Sequence, residues 1–271
     1  MRHYFRKMPA ANQVASPGTS IFQVPLGPSY RNLAVRYAES GTDATEATMA
    51  TAIDRVVVRF NGIARIDVSG SRYISMLKYY GYTIADGVLP ILFSRPYART
   101  MIGEENTVLG TRNLETLTVE IKLASGRTSP TMELDSLYTP ERRDAGAVIQ
   151  ILENTFTASA SGTFEISSLP KSNGALVGMH LFSSNVTAVN VLLDNVEHFD
   201  ADLETVRSIV THTGRAPQSN VQHIEPTFLD RFDDVWPLSN VQDFRLKLTM
   251  SGSGSVPIVM ETLSAPIPPS Q

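Results

Sequence analysis

The chain has 271 residues, which is enough for one large domain or for two domains of about 130 residues each. Its 42% hydrophobic and 18% charged content excludes wholesale disorder, and its net charge of −4 excludes the basic surface of a protein that wraps nucleic acid. The absence of Cys excludes disulfides and thiolate sites, and no apolar run approaches the roughly 18 residues that a membrane-spanning helix needs.

Residues 1–18 predict an N-terminal arm that lies outside any sheet, and they lack the apolar centre of a signal peptide. The arm places three cations close to two aromatic side chains, before a stretch rich in Pro, Ala and Gly. These five residues are Arg2, Tyr4, Phe5, Arg6 and Lys7. One interpretation is a frayed terminus. The other is an arm that docks on a partner subunit or on an anionic surface such as a membrane, because cations beside aromatic rings suit both.

Residues 19–139 predict a first all-β domain. Its predicted strands read, in chain order, IFQVPL, YRNLAVRY, IDRVVVRF, IARIDV, VLPILF, LTVEIKL and MELDSL. The dipeptide Asn61-Gly62 predicts a tight hairpin between the third and fourth strands. The internal Pro90 favours a sheet edge or a bulge for VLPILF, because Pro has no backbone N–H to donate.

One short helix is predicted in this domain, over residues 71–80. Ser69 or Ser71 would cap its N-terminus, and Gly81 would end it. Long polar loops are predicted at 40–51, at 99–112 and, further along the chain, at 211–223.

Residues 140–160 predict a linker, in which the apolar run at 148–152 fits either a helical turn or a strand. Residues 161–271 then predict a second domain with the same order of elements. Its predicted strands read TFEI, LVGMHLF, VTAVNVLL, IEPTFL, FRLKLTM and IVMETLS. A turn at Asp194-Asn195 stands where the first domain has its Asn-Gly turn. A helix is predicted over 200–210, with Asp200 as its N-cap.

The two domains repeat one pattern most clearly near their ends. NLETLTVEIKL begins at Asn113 and NVQDFRLKLTM begins 127 positions later, at Asn240. Both show apolar residues on alternate positions, and Pro130 and Pro257 follow them at the same offset of 127. Seven or eight strands in each half predict two fused antiparallel sandwiches, that is, an all-β double jelly roll with a short crossover helix in each half.

Several motifs resemble the major capsid proteins of the corticoviruses, which are membrane-containing icosahedral bacteriophages. They are the opening Met-Arg, PLG before a Tyr, LAVRYAESG, and the late NVQDFRLKLTM followed by VPIVMETL. The resemblance spans nearly the full length. It implies a structural subunit, made in the host cytoplasm, that forms pseudo-hexagonal homotrimers in a virion shell around an internal membrane. It also implies calcium ions as candidate ligands of the capsid, with no other cofactor required.

No enzyme is expected from this sequence. Ser-x-x-Lys occurs at Ser75 and again at Ser168, but no further motif of the acyl-transfer enzymes accompanies it. The five His residues lack metal-ligand spacing, and His180 is predicted to be packed or exposed on a strand rather than to bind a metal.

Two weaker candidate sites remain. Asp194, Asp200 and Asp202 are candidates for a calcium site between subunits, although the segment lacks the Gly and Glu of an EF-hand loop. Asp233 and Asp234 beside Trp236 fit a carbohydrate-binding sandwich, such as a lectin-like or spike protein, which is the alternative function. A loop Trp at a subunit interface is the other interpretation of Trp236.

Overall fold

The computed structural model describes residues 2–95, 98, 100–171 and 174–264 of the chain. The described part divides into two compact units. The first contains residues 2–78 and 82–152, and the second contains Tyr79–Gly81 and Glu153–Ser264.

The first unit is built mainly of strands. They are β1 (Tyr4–Lys7), β2 (Gly18–Gln23), β3 (Ser29–Glu39), β4 (Thr42–Asp43), β5 (Ile53–Phe60), β6 (Ile63–Val68), β7 (Val88–Leu92), β8 (Leu109–Gly110), β9 (Leu117–Leu123), β10 (Pro130–Thr139) and the first part of β11 (Ile149–Ala158). Three short helices connect them: α1 (Glu46–Ala52), α2 (Gly70–Tyr79) and α3 (Met101–Glu105).

These strands form two sheets. In one sheet the order is β2-β9-β5-β6, and β11 lies parallel to β6. In the other, β10 lies between β1 and β3, and β3 also pairs with β4, β7 and β8. The ring of Phe60 on β5 lies 6.2 Å from that of Phe93, which follows β7, so side chains of the two sheets meet in the core.

The second unit is also mainly strands. After the end of β11 come β12 (Gly162–Ile166), β13 (Ala175–Phe182), β14 (Val186–Leu193), β15 (Val196–Asp202), β16 (Val221–Ile224), β17 (Trp236–Pro237), β18 (Phe244–Met250) and β19 (Gly254–Leu263). One helix, α4 (Leu203–Thr211), and a 3₁₀ turn (Phe232–Asp234) lie between them.

The second unit repeats the strand pairing of the first. The order β12-β18-β14-β15 corresponds to β2-β9-β5-β6. Strand β13 pairs with β19, β16 and β17, as β3 pairs with β10, β7 and β8. One core cluster joins side chains from both of these sheets, so the second unit is a sandwich.

The repeated stretch behaves as predicted. On β9 the four alternate apolar residues are at most 1% exposed, and on β18 they are at most 2% exposed. These residues are Leu117, Val119, Ile121 and Leu123, and Phe244, Leu246, Leu248 and Met250. Strands β8 and β17 also begin 127 positions apart, so the offset holds for a pairing that the sequence did not reveal.

Both predicted hairpin turns are confirmed. Asn61 and Gly62 have φ of 51° and 78°, and Asp194 and Asn195 have φ of 49° and 64°. Two successive residues with positive φ match the twist of the strands that they join. The edge position of β7 is also confirmed, since among the described residues it pairs only with β3, and Pro90 lies opposite Ala34.

The predicted helices form, with one correction. Helix α2 ends before Gly81, whose φ is 83°. Helix α4 begins later than predicted, and its N-cap is Asp202 rather than Asp200. The reason is that β15 continues its pairing with β14 as far as Asp202, which places Asp200 inside the strand, opposite Asn190.

Other predictions were wrong in their local structure. The loop at 40–51 contains α1, which Thr45 caps, and the loop at 99–112 contains α3 and β8. The segment IEPTFL is not a strand, because β16 ends at Ile224, before the pair Glu225-Pro226. Of the two alternatives for the run at 148–152, the strand is confirmed, since residues 149–152 begin β11. Residue 99 and residues 265–271 of the predicted elements lie outside the described residues.

We expect Gly62→Ala to lower the free energy of unfolding by about 1 kcal/mol, because an L-residue with a Cβ is strained at positive φ. An added Cβ would meet nothing within 4 Å, so the effect comes from the backbone alone. Urea unfolding measures it. Gly146→Ala is the matched control, since that position also has open space around it and no positive φ. Equal effects of the two substitutions would contradict the explanation.

Candidate functional site: an exposed N-terminal strand and a buried polar network

The predicted arm is in part a strand. Residues Tyr4 to Lys7 form β1 and pair antiparallel with β10, from Tyr4 opposite Tyr138 to Lys7 opposite Asp135. The backbone N–H of Met8 continues this pairing by donating to the carbonyl of Leu134 at 2.7 Å. The prediction that the arm lies outside any sheet was therefore wrong, and so was the frayed-terminus interpretation for residues 4–7. The error arose because β1 is short and its side chains show no buried face.

Strand β1 presents its side chains to solvent. Phe5 is 84% exposed and Tyr4 is 42% exposed, although the Tyr4 ring lies 5.9 Å from that of Tyr138. Lys7 pairs with Glu133 at 3.0 Å, and this ammonium group holds the pKa of the Glu133 carboxyl below its usual range. Arg2 and Arg6 are exposed. The strand is thus a fixed edge that carries cations and an aromatic ring.

The calcium candidates do not converge within the chain. Asp194 lies in the turn between β14 and β15, where its carboxyl accepts the backbone N–H groups of Gln242 and Asp243, each at 2.8 Å. Asp202 caps α4 by accepting the N–H of Thr205 at 2.9 Å, and that hydrogen bond lowers the pKa of the Asp202 carboxyl.

Asp194 and Asp202 lie at opposite ends of the β14–β15 hairpin, roughly 20 Å apart at about 3.3 Å per residue. Asp200 is exposed between them. Within the described residues, no three His, Asp or Glu side chains form a group that could hold a metal ion. A site completed by a neighbouring subunit stays a prediction.

The remaining sequence candidates are engaged in structural contacts. Lys78 of the first Ser-x-x-Lys motif pairs with Glu46 at 2.8 Å. Lys171 of the second donates to the carbonyl of Val241 at 3.3 Å. Trp236 is half-buried, with its ring 5.4 Å from that of His198.

A buried network of polar side chains in the second unit was not predicted. His180 on β13 lies opposite His223 on β16, with their Nδ1 atoms 2.7 Å apart. The Nε2 atom of His180 lies 2.7 Å from Oε1 of Glu261, on β19. The hydroxyl of Tyr80 donates to the same carboxyl oxygen at 2.6 Å. His180 is fully buried, which confirms that it is a packed residue.

The hydrogen bonds determine the tautomer of each imidazole. The backbone N–H of Gln218 donates to Nε2 of His223 at 3.2 Å, so the proton of His223 is on Nδ1. That proton is donated to Nδ1 of His180, whose own proton must then be on Nε2, facing Glu261. The lowered pKa of His223 agrees with this arrangement of its one proton.

A second part of the network is ionic. Arg215 donates to both carboxyl oxygens of Glu225, at 2.8 and 2.7 Å, and to Asp230 at 2.6 Å. Burial works against the charge of Arg215, but the bonds and charges of Glu225 and Asp230 outweigh it and raise the pKa of the guanidinium. Tyr79 donates to Glu225 at 2.9 Å, and burial, followed by the charge of Glu225, raises the pKa of the Tyr79 hydroxyl.

The two parts meet where the rings of Tyr79 and His223 stack, with their centroids 3.9 Å apart and an interplanar angle of 11°. Burial holds the pKa of His223 well below 6.5, and His180 and Arg207 lower it further. The sequence offered little signal for this network, because its members are far apart along the chain and only the pairing of strands brings them together.

We expect acid to destabilise the folded protein through His223. The unfolded imidazole has a pKa near 6.5 and the folded one a lower pKa, so below pH 6.5 the unfolded state binds more protons. The free energy of unfolding should fall by up to about 1.4 kcal/mol per pH unit as the pH is lowered from 6.5, until the folded pKa is reached. Urea unfolding at pH 7.5, 6.5 and 5.5 measures this slope.

His223→Gln should reduce the slope between pH 6.5 and 5.5, whereas the control His212→Gln, at an exposed position, should keep it. An unchanged slope in the His223 variant would show that another group is responsible.

We expect Arg215→Met to lower the free energy of unfolding by about 3–5 kcal/mol, because it leaves Glu225 and Asp230 buried without their cation. The control Lys122→Met removes an exposed pair with Asp54 and should cost at most about 1 kcal/mol. Thermal and urea unfolding measure both. A similar cost for the two variants would mean that burial does not decide the contribution of the pair.

Several solved structures with the same fold are those of viral capsids and their proteins. The major capsid protein P2 of bacteriophage PM2 is similar with a TM-score of 0.89 at 19% identity, over 97% of this chain and 98% of that chain. The structure of Sulfolobus turreted icosahedral virus gives 0.71 at 11% identity, over 98% and 92%. The PBCV-1 virus capsid gives 0.67 at 8% identity, over 97% and 94%. No curated protein matches the chain in sequence.

Two sequence families match the chain in order. The viral coat protein P2 N-terminal domain matches residues 5–139, and the viral coat protein P2 C-terminal domain matches residues 148–266. Together with the structural similarity, these matches confirm the double jelly roll and the resemblance to capsid proteins. The two matches cover nearly the whole chain, so the protein belongs to the viral coat protein P2 family.

Proposed function

We propose that the chain is the major structural subunit of an icosahedral virion shell and that it assembles as a homotrimer of pseudo-hexagonal outline. The observation that carries this proposal is the repeated strand pairing of the two units. Three copies contribute six similar sandwiches, so a threefold molecule occupies a nearly sixfold position. A ring of identical head-to-tail contacts closes such a trimer.

A structural rather than catalytic role agrees with the contacts that the polar side chains make. The lysines of both Ser-x-x-Lys motifs are held in ion pairs or hydrogen bonds, and the buried His residues are held in a closed network. The carbohydrate-binding alternative has no support, since the matching family and the similar solved structures are coat and capsid proteins.

The shell is proposed to enclose an internal membrane, with β1 as the element that meets either that membrane or a neighbouring subunit. Exposed cations beside Phe5 suit both surfaces. Among the described residues, no helix is long and apolar enough to cross a membrane. No sequence-specific contact with nucleic acid is proposed, and calcium is retained only as a ligand of a site shared between subunits.

We expect the purified chain to form a trimer, with a mass about three times the 29.7 kDa of one chain. The contact between subunits of an obligate oligomer buries of order 2,000 Å² or more and is largely apolar, so the trimer should persist on dilution to micromolar concentrations. Light scattering coupled to size exclusion measures the mass. A chain that stays monomeric at high concentration would contradict the proposal.

A further inference from the structure

A cleft of about 280 Å³ opens on the surface of the second unit, between α4 and the segments around β17. Its walls are mainly apolar and include Val206, Phe228 and Trp236. Ile209, also in the wall, is 50% exposed. The volume is just below that of pockets for drug-sized ligands, which begin near 300 Å³, so it suits one large side chain and its neighbours.

Exposed apolar clefts of this kind indicate an interaction site, because water-exposed apolar surface costs free energy that a partner removes. A half-buried Trp is a typical anchor of protein interfaces. Covering Ile209 and the half-buried Trp236 would therefore remove apolar surface from water.

The charges around the cleft favour a basic occupant. The segments that line it carry six carboxylates that are exposed or half-exposed, against the two cations Arg207 and Arg231. The carboxylates are Glu197, Asp200, Asp202, Glu204, Asp233 and Asp234. Arg207 pairs with Glu204 and also donates to the carbonyl of Gln218, so this pair is neutral and five carboxylates remain against the one cation Arg231.

Two places among the described residues of this chain offer large apolar side chains that are more than 70% exposed. One is α3, with Met101 at 79% and Ile102 at 75%, and the other is Phe5 of β1 at 84%. Helix α3 ends in Glu104-Glu105, whose carboxylates are already paired with Arg31, so this helix offers the acidic cleft no net positive charge. Phe5 lies among Arg2, Arg6 and Lys7. Lys7 is paired with Glu133, but the exposed Arg2 and Arg6 still give this segment a charge complementary to that of the cleft.

We propose that Phe5 of one copy of the chain inserts into the cleft beside Trp236 of a second copy. Residues 2–7, whose net charge is positive, then lie near the acidic segments α4 and β15. The contact joins two different surfaces, as a closed ring of three subunits requires. Because β1 is held in its sheet by β10, Phe5 is presented by a fixed edge, and little ordering is needed on binding. This inference rests on the trimer of the proposed function.

The single Trp of the chain makes the contact measurable, because its fluorescence reports on the cleft alone. The experiment follows Trp236 emission and acrylamide quenching of the full chain through a dilution series, with the oligomeric state from sedimentation. Dissociation of the wild type should shift the emission to the red and increase quenching. Phe5→Ala should raise the dissociation constant at least tenfold and leave Trp236 quenchable at concentrations where the wild type is protected.

Ile63→Ala is the matched control, since Ile63 is another apolar side chain, 58% exposed, at the hairpin turn of the first unit. It should leave the emission unchanged. Ile209→Ala alters the wall of the cleft at a surface position and should weaken association as Phe5→Ala does. The double variant should raise the dissociation constant by clearly less than the product of the two single effects, because both substitutions remove the same contact.

Each outcome decides the question. A trimer in which Phe5→Ala and wild type show equal dissociation and equal quenching overturns this contact and leaves the proposed function standing. A chain that never associates contradicts both this contact and the proposed trimer. If Phe5→Ala leaves Trp236 unchanged but weakens co-sedimentation with phosphatidylglycerol vesicles, Phe5 faces lipid, and the contact between copies is overturned.

Discussion

Strands β9 and β18 each lie between two neighbours in a sheet, and each buries every second side chain. This alternation is the constraint on which both sandwiches depend. A shift of one residue in the pairing would turn all four buried side chains of a strand toward water and its polar ones into the core. With a cost of roughly 1.5–3 kcal/mol for each exposed apolar side chain, no other register competes. The hairpin turns at Asn61-Gly62 and Asp194-Asn195 hold the adjacent strands in that same register.

The two units share this strand order and burial pattern but differ in their interior and surface side chains. The second unit places Arg215, Glu225 and the pair His180–His223 in its interior, where Arg215 is paired with both Glu225 and Asp230. Such a network tolerates no loss of a member, because an unpaired buried charge costs far more than the pair contributes. The surfaces differ as well, since the first unit carries basic β1 and the second carries the acidic segments around Trp236. A ring of head-to-tail contacts requires two different, complementary surfaces on each subunit.

The sequence predicted the strands best where the alternation was long or the turn chemistry was strong, as at β9, β18 and the Asn-Gly hairpin. It failed where a segment's structure comes from its neighbours. Strand β1 has no buried face and forms because it pairs with the edge of β10. Helix α1 begins after its N-cap Thr45, which lies in a polar stretch that the sequence predicted to be a loop. The N-cap is Asp202 rather than Asp200 because β15 stays paired with β14 as far as Asp202, so the helix cannot begin earlier.

Taken alone, the sequence determined the all-β class, the duplication and the resemblance to capsid proteins, because period-two patterns and turn residues act over a few neighbouring positions. Only the tertiary structure decided the sites. It separated the carboxylates Asp194 and Asp202 along a hairpin, and it joined His180, His223 and Glu261 from three strands. It also formed the cleft beside Trp236. These outcomes depend on which strands pair and in what register. Contacts between residues tens of positions apart produce no local sequence pattern from which they could be predicted.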